Sequence, residues 1–433
     1  MSGMNSGIDA GNPAIVDAFQ AALVRQALVV LLVLAVLGMA WLARRAWPGG
    51  WAGRPATAGC VPRLPGARGP VPAEPAGRRV LRIGFGLLWL FDGVLQAQPR
   101  MPAGLVSQVI KPAAASSPHW LQDLVNWGAA GWVHHPVQAA AAAVWIEAGI
   151  GIWMLAAARG AWSRLAGLAG AGWGLAVWVF GESFGGIAAP GLSWLTGAPG
   201  AVLCYVAAGA IVALPGRAWQ TPRLGRRILA GLGLFLAAMA VLQAWPGRGF
   251  WTGTAAGRPG PLADMVQSMA AVPQPKFLAD WVAGFGSFVA GHAFAVNLFA
   301  VAALAAAGLA FASGRRRLIC PAVTGFTLLC LADWVLVQDL GFLGGLGTDP
   351  NSMIPFALLA VAGYLALTRM PQLRPARPTR GLGGRSGSSS LAAGHRAGHA
   401  VSLPSGTPRA CPRPHRWTVK SALRLAGVPI CTW

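Results

Sequence analysis

The stretch RRVLRIGFGLLWLFDGVLQAQP (residues 78–99) decides the fold, because the chain repeats it as RRILAGLGLFLAAMAVLQAWP at 226–246. Leu95, Gln96 and Ala97 fall on Leu242, Gln243 and Ala244 at an offset of 147. Working outward, SPHWLQDLVNWGAAGWVHHP (117–136) returns as QPKFLADWVAGFGSFVAGHA (274–293), which pairs Pro118 with Pro275, Leu121 with Leu278, Asp123 with Asp280 and His135 with His292 at an offset of 157. The offset grows inside the Gly/Pro-rich stretch WPGRGFWTGTAAGRPGP, where insertions are tolerated. A third block, WVFGESFGG (178–186), faces WVLVQDLGFLGG (334–345), and each is followed by a Gly/Pro turn and a final apolar run. The chain therefore reads as a duplicated unit of about 145 residues.

Hydrophobic residues make up 55% of the chain and charged residues 11%, with a mean hydropathy of +0.54. Soluble domains carry about a quarter charged residues, so this is the composition of an all-α integral membrane protein. Nine apolar stretches, near 26–43, 80–98, 136–158, 161–181, 198–214, 228–245, 292–312, 318–337 and 353–368, are predicted to cross a hydrocarbon core of about 30 Å. Arginine placement orients them. With the N-terminus outside, 28 of the 34 basic residues fall in inner segments, which gives an N-out, C-in topology in the plasma membrane.

The predicted organisation is an N-terminal transmembrane helix (1–43), a Pro/Gly/Arg-rich cytoplasmic linker (44–79), a first four-helix repeat (80–215), a second (226–370) and a disordered basic tail (371–433). Four spans per repeat is an even number, so both copies are expected to stand parallel, related by an axis along the membrane normal. The net charge of +22 is split among short loops and the two flexible segments. That pattern predicts orientation and contact with anionic lipid and argues against nucleic acid as a partner. The six cysteines form no C-x-x-C and imply neither a zinc site nor a disulfide framework. No phosphate-binding G-x-x-x-x-G-K-[ST] loop is present, which argues against nucleotide-driven activity.

Three acids fall within the predicted spans: Asp92, Glu147 and Asp333. Asp92 shares a helix face with Gln96, and the second copy supplies Gln243 at the matching place. A charged carboxylate at such depth costs several kcal/mol without a basic partner, so Glu147 is expected in its neutral, hydrogen-bonding form. These five residues form the expected proton or quinone pocket. Glu182, Asp339, His135 and His292 mark its outer margin; the two histidines fit interfacial helix caps better than metal ligands, and no metal is expected. Between the first two spans of each repeat, Trp120, Leu121, Leu124 and Val125, and likewise Phe277, Leu278, Trp281 and Val282, recur at helical spacing, as in a helix lying flat on the outer interface.

The run VWIEAGIGIWMLAAARGAWSRLAGLAGAGWGLAVW (144–178), with the opening span at 78–96, resembles the DoxX/DoxD family of four-helix membrane proteins, and the whole chain is similar to multi-pass membrane proteins of actinobacteria. The resemblance implies a membrane subunit of a quinone-linked redox system with a partner protein on the outer side, and Glu147 is the residue it carries across. The second repeat departs by placing Leu304 where Glu147 stands in the first. The residues leave enzymatic activity open, and a small-solute or proton-coupled transporter and a membrane scaffold stand as alternatives.

Overall fold

A computed structural model describes residues 12–46, 73–189, 191–255, 258–343 and 345–368; most of the predicted linker and all of the predicted tail lie outside the described residues. Twelve helices follow one another: α1 (Pro13–Ala46), α2 (Ala76–Gln96), α3 (Met101–Ala114, with a π-helical turn at Leu105–Ile110), α4 (His119–His134), α5 (Pro136–Ala156), α6 (Gly160–Phe180), α7 (Ala201–Ala213), α8 (Pro222–Ala244), α9 (Pro261–Ala270), α10 (Lys276–Ala312), α11 (Arg316–Leu336) and α12 (Met353–Thr368). The described strand structure is one tiny hairpin, Thr254–Ala255 against Arg258–Pro259.

Among the described residues, five helices are long and apolar enough to cross a membrane: α1, α5, α8, α10 and α11. A sixth arises if α2 is counted with α3, which leaves it at an 89° bend. The other expected spans fall short for readable reasons. Helix α2 carries Arg78, Arg79, Arg82 and Asp92, α6 is diluted by glycine and tryptophan, and α7 and α12 have only 13 and 16 residues.

The helices pack as antiparallel pairs that touch backbone to backbone at glycines, as membrane helices do where small residues permit it. In the α2–α5 pair a methyl added at Gly151 would sit 2.7 Å from the Gly86 carbonyl. In the α8–α10 pair a methyl at Gly233 would sit 2.6 Å from the Gly308 carbonyl. These are corresponding positions, 147 and 157 residues apart. Gly167 and Gly209 make the same contact between α6 and α7. Helix α12 then packs against both α2 and α8, and the larger of two buried cores runs from Phe85 and Trp89 through Trp194 and Tyr205 to Leu236, Phe311 and Phe356, the smaller gathering Phe19, Met101, Leu121 and Val144.

Irregular features recur at the same spacing. The break between α4 and α5 falls at His135 (φ −138°, ψ 57°), and α10 is interrupted at His292 (φ −132°, ψ 30°). Left-handed backbone follows α6 at Ser183 and Phe184 and follows α11 at Asp339 and Leu340, 156 residues later. Beside each turn a tryptophan N–H holds the loop, Trp178 donating to the Pro199 carbonyl at 2.7 Å and Trp334 to the Pro350 carbonyl at 2.8 Å. Helix α4 buries Leu121 and Val125 and exposes Trp120 and Trp127, while the start of α10 buries Leu278 and Val282 and exposes Phe277 and Trp281.

One end of the bundle is basic. The linker expected over 44–79 ends earlier than its composition implies, because residues 73–79 are ordered and α2 begins at Ala76. The cause is Glu74, which binds Arg82 at 2.9 Å and Arg78 at 3.4 Å. Both guanidiniums are buried and donate to helix-terminal carbonyls, Arg78 to Ala158 and Val212 and Arg82 to Met154 and Leu155. Cations at helix C-termini satisfy carbonyls that the helix cannot. Arg164 does the same for Ala213 and Arg316 for Leu367. Against the expectation of an absent disulfide framework, Cys320 near the start of α11 is disulfide-bonded, whereas Cys204 and Cys330 are free and buried.

The glycine contacts give a sharp test on α5. Gly151→Ala should lower the thermal unfolding midpoint, overpacking by about 1–3 kcal/mol against the Gly86 backbone. Gly149→Ala, which meets nothing within 4 Å, should raise the midpoint through helix propensity. Equal shifts in detergent unfolding curves would contradict the close packing.

Candidate functional site

At the end of the bundle opposite the arginines, a cavity of about 670 Å³ opens between α2, α4, α5 and α6. The helix spacings place its acids. Asp92 and Gln96 lie one turn apart on α2, Glu147 faces them from α5, and Glu182 closes the wall just beyond α6. Four expected site residues are thereby brought together. Asp92 is 4% exposed and Glu147 3%, so neither meets water appreciably.

Their polar atoms are only partly matched. The Trp173 N–H donates to Glu147 Oε1 at 3.3 Å, leaving Glu147 Oε2 without a partner. Asp92 Oδ1, Gln96 Oε1 and the Trp89 N–H are likewise buried and unpartnered. The Tyr205 hydroxyl approaches Asp92 without closing a well-aligned hydrogen bond. Buried polar atoms are nearly always paired, so a cluster of orphans on one cavity wall marks a place where a ligand or water completes the bonding. Trp89, Trp127, Trp132, Trp173 and Phe180 supply the apolar remainder of the lining.

Glu182 has a second task. Its carboxylate oxygens accept the Val202 N–H at 3.3 Å, at the start of α7, where a negative group is favoured by the helix dipole. Gly200, at φ 93°, leaves the space that the carboxyl fills. Burial pushes the Glu182 carboxyl well above the usual carboxylate range; Asp349 adds to that rise, and the Val202 and Ala201 N–H groups oppose it.

Asp349 was not visible as a site residue in the sequence, since it lies in a polar loop (LGTDPNS) far along the chain. That loop, between α11 and α12, is carried over the first half's cavity. Gln98 donates to the Gly347 carbonyl at 2.8 Å, and Phe342 packs edge-on against Phe91. Asp349 is held by the Thr348 hydroxyl and the Asn351 N–H, and burial raises its pKa. Trp173 and Tyr205 also escaped notice, because lone aromatics within apolar runs carry no signal that separates lining from core.

The other expected residues lie elsewhere. Gln243 is removed from the cavity into a closed network: Ser193 Oγ donates to its Oε1 at 2.6 Å and its Nε2 donates to Asn297 Oδ1 at 2.7 Å. It occupies the place equivalent to Gln96, yet Asn297 stands where the first half has Ala140, and that amide claims it. Asp333 lines a different cavity. His135 and His292 are exposed at the helix breaks, with His292 Nδ1 3.1 Å from the Phe288 carbonyl and its ring stacked on Phe288. Among the described residues no group of His, Cys, Asp or Glu side chains is arranged to hold a metal. No known protein family matches the chain, and neither does any characterised protein or solved structure.

Asp339 sits in the left-handed turn after α11, at φ 52°. Burial pushes its carboxyl up to about 6, partly offset by Gln274. The folded chain thus holds this proton more tightly than the unfolded chain does. Its ionisation therefore erodes stability as pH climbs from about 4 to about 6, and the loss is complete above that range. Asp339→Asn, tolerated in left-handed backbone, should raise the unfolding midpoint near pH 7.5 and leave it unchanged near pH 4. A variant no more stable than the parent at the higher pH would refute this assignment.

Proposed function

We propose that the chain is a nine-span plasma-membrane protein, N-terminus outside and C-terminus cytoplasmic. In this reading it is built from an N-terminal helix and two parallel four-helix repeats, and it serves as a quinone-associated subunit of a membrane redox system. The repeat reading draws on the glycine contacts, histidine breaks and tryptophan-held loops that return at the sequence offsets. The topology draws on the arginines gathered at one end and the acid cavity at the other.

One observation carries the functional reading: unpartnered carboxyl, amide and indole groups of Asp92, Glu147, Gln96 and Trp89 line one aromatic cavity large enough for a substituted ring. In a water-poor site a neutral carboxylic acid donates to a carbonyl oxygen, and the indole rings of Trp89 and Trp173 cover the ring faces. Reduction of a quinone takes up two electrons and two protons. Asp92 and Glu147 supply the protons here, and a redox partner protein docked on the outer side supplies the electrons. A DoxX-like role, implied by the resemblance of residues 144–178, agrees with this division of labour.

Menadione added to the detergent-solubilised protein should quench tryptophan fluorescence saturably, since tryptophans line the cavity. Asp92→Leu with Glu147→Leu, which removes both donors, should weaken that binding by about tenfold or more, the value of a buried hydrogen bond to a polar partner. Undiminished affinity in the double variant sinks the quinone reading. For the topology, cysteines introduced at Ala188 and Gln220 should react with impermeant maleimides from opposite faces of sealed vesicles, and labelling from one face would overturn the nine-span count.

A further inference from the structure

A second cavity, of about 360 Å³, lies in the other half of the molecule between α9, α10 and α11. It is the counterpart of the first by sequence position: Ala300, Ala332 and Leu336 line it where Ala143, Ala176 and Phe180 line the larger one, at offsets of 157 and 156. The chemistry has been exchanged. Leu304 stands in place of Glu147, while Asp333 stands in place of Val177. The result is a hollow walled by Phe285, Phe288, Phe299 and aliphatic side chains, with one acid.

Asp333 is 4% exposed and neither of its carboxyl oxygens has a hydrogen-bond partner. Among the described residues no other titratable side chain lines the cavity, and no lysine, arginine or side-chain amide is part of its wall. A ligand must therefore bring the donors. Phenylalanine faces carry negative potential and attract cations, so the rings and the carboxylate favour the same kind of group. A carbonyl compound would engage the acid alone, whereas an ammonium ion engages both. Phe288 and Phe299 are also half or more exposed on the outer surface of the bundle. A molecule dissolved in the apolar phase thus meets the cavity from the side.

We propose that this cavity is a second binding site, specific for a lipophilic organic ammonium ion whose N–H groups pair with Asp333 and whose apolar body lies among the phenylalanines. Its volume falls at the small end of the range for ligand pockets, about 300–1,000 Å³, and suits a single-ring amine. The proposal stands independently of the quinone reading, because no residue of the acid cavity takes part.

The test uses the full chain in lipid nanodiscs with tritiated 4-phenylbutylammonium, and 4-phenylbutan-1-ol as its neutral isostere. Saturable binding is expected, the alcohol failing to compete at equal concentration. Asp333→Asn should weaken binding by about tenfold or more, while Asp92→Asn changes it by less than about twofold, the two sites being separate. A diazirine derivative photolysed on the wild-type protein should label peptides holding Phe288 or Phe299, which keeps the proposal testable should Asp333→Asn fail to fold. Absence of saturable binding, equal competition by the alcohol, loss that follows Asp92 instead of Asp333, or labelling confined to α2 and α5 would each overturn it.

Discussion

Backbone contact at glycine is the constraint on which the rest depends. Lipid offers no hydrophobic drive to press apolar helices together, so association rests on close packing and on polar contacts between helices. At Gly86 with Gly151, and again at Gly233 with Gly308, the absence of side chains lets two helices come close enough for those short-range terms to count. The crossings set the spacing of α2 from α5 and of α8 from α10. That spacing decides whether polar side chains nearer the helix ends meet one another or face a gap.

Both outcomes occur in this molecule. Ser193, Gln243 and Asn297 are buried and closed upon one another. A fully matched network of this kind tolerates burial and fixes one arrangement of the helices. Asp92, Glu147 and Gln96, at related depths in the first half, leave acceptors open to a cavity. Unmatched groups cost stability, and the fold retains them where aromatic walls leave room for something else to bind. At the basic end Glu74, Arg78 and Arg82 follow the first pattern, and the two arginines finish helices α5 and α7.

Much of this was legible in the residues themselves. The internal offsets pair the helix breaks at His135 and His292, and the buried faces at Leu121 and Leu278, because each depends on local sequence that the two stretches share. Helical spacing puts Gln96 one turn from Asp92, whereas the approach of Glu147 to both comes from the packing of α5 on α2. What stayed hidden depends on contacts distant in sequence. Nothing near Gln243 announces Asn297 as its partner, and nothing in a short polar loop assigns Asp349 to a cavity walled by residues far earlier in the chain. The early start of α2 was masked by proline and glycine, whose signal for irregular backbone was outweighed by a buried ion cluster around Glu74.

The loop that carries Asp349 bears on where the chain could be divided. Thr348 and Asp349 wall the cavity between α2, α4, α5 and α6, and Leu195 walls the cavity between α9, α10 and α11, so cutting the chain between them would open both chambers. The stretches on either side of α8 therefore behave as one compact body and not as two separable modules.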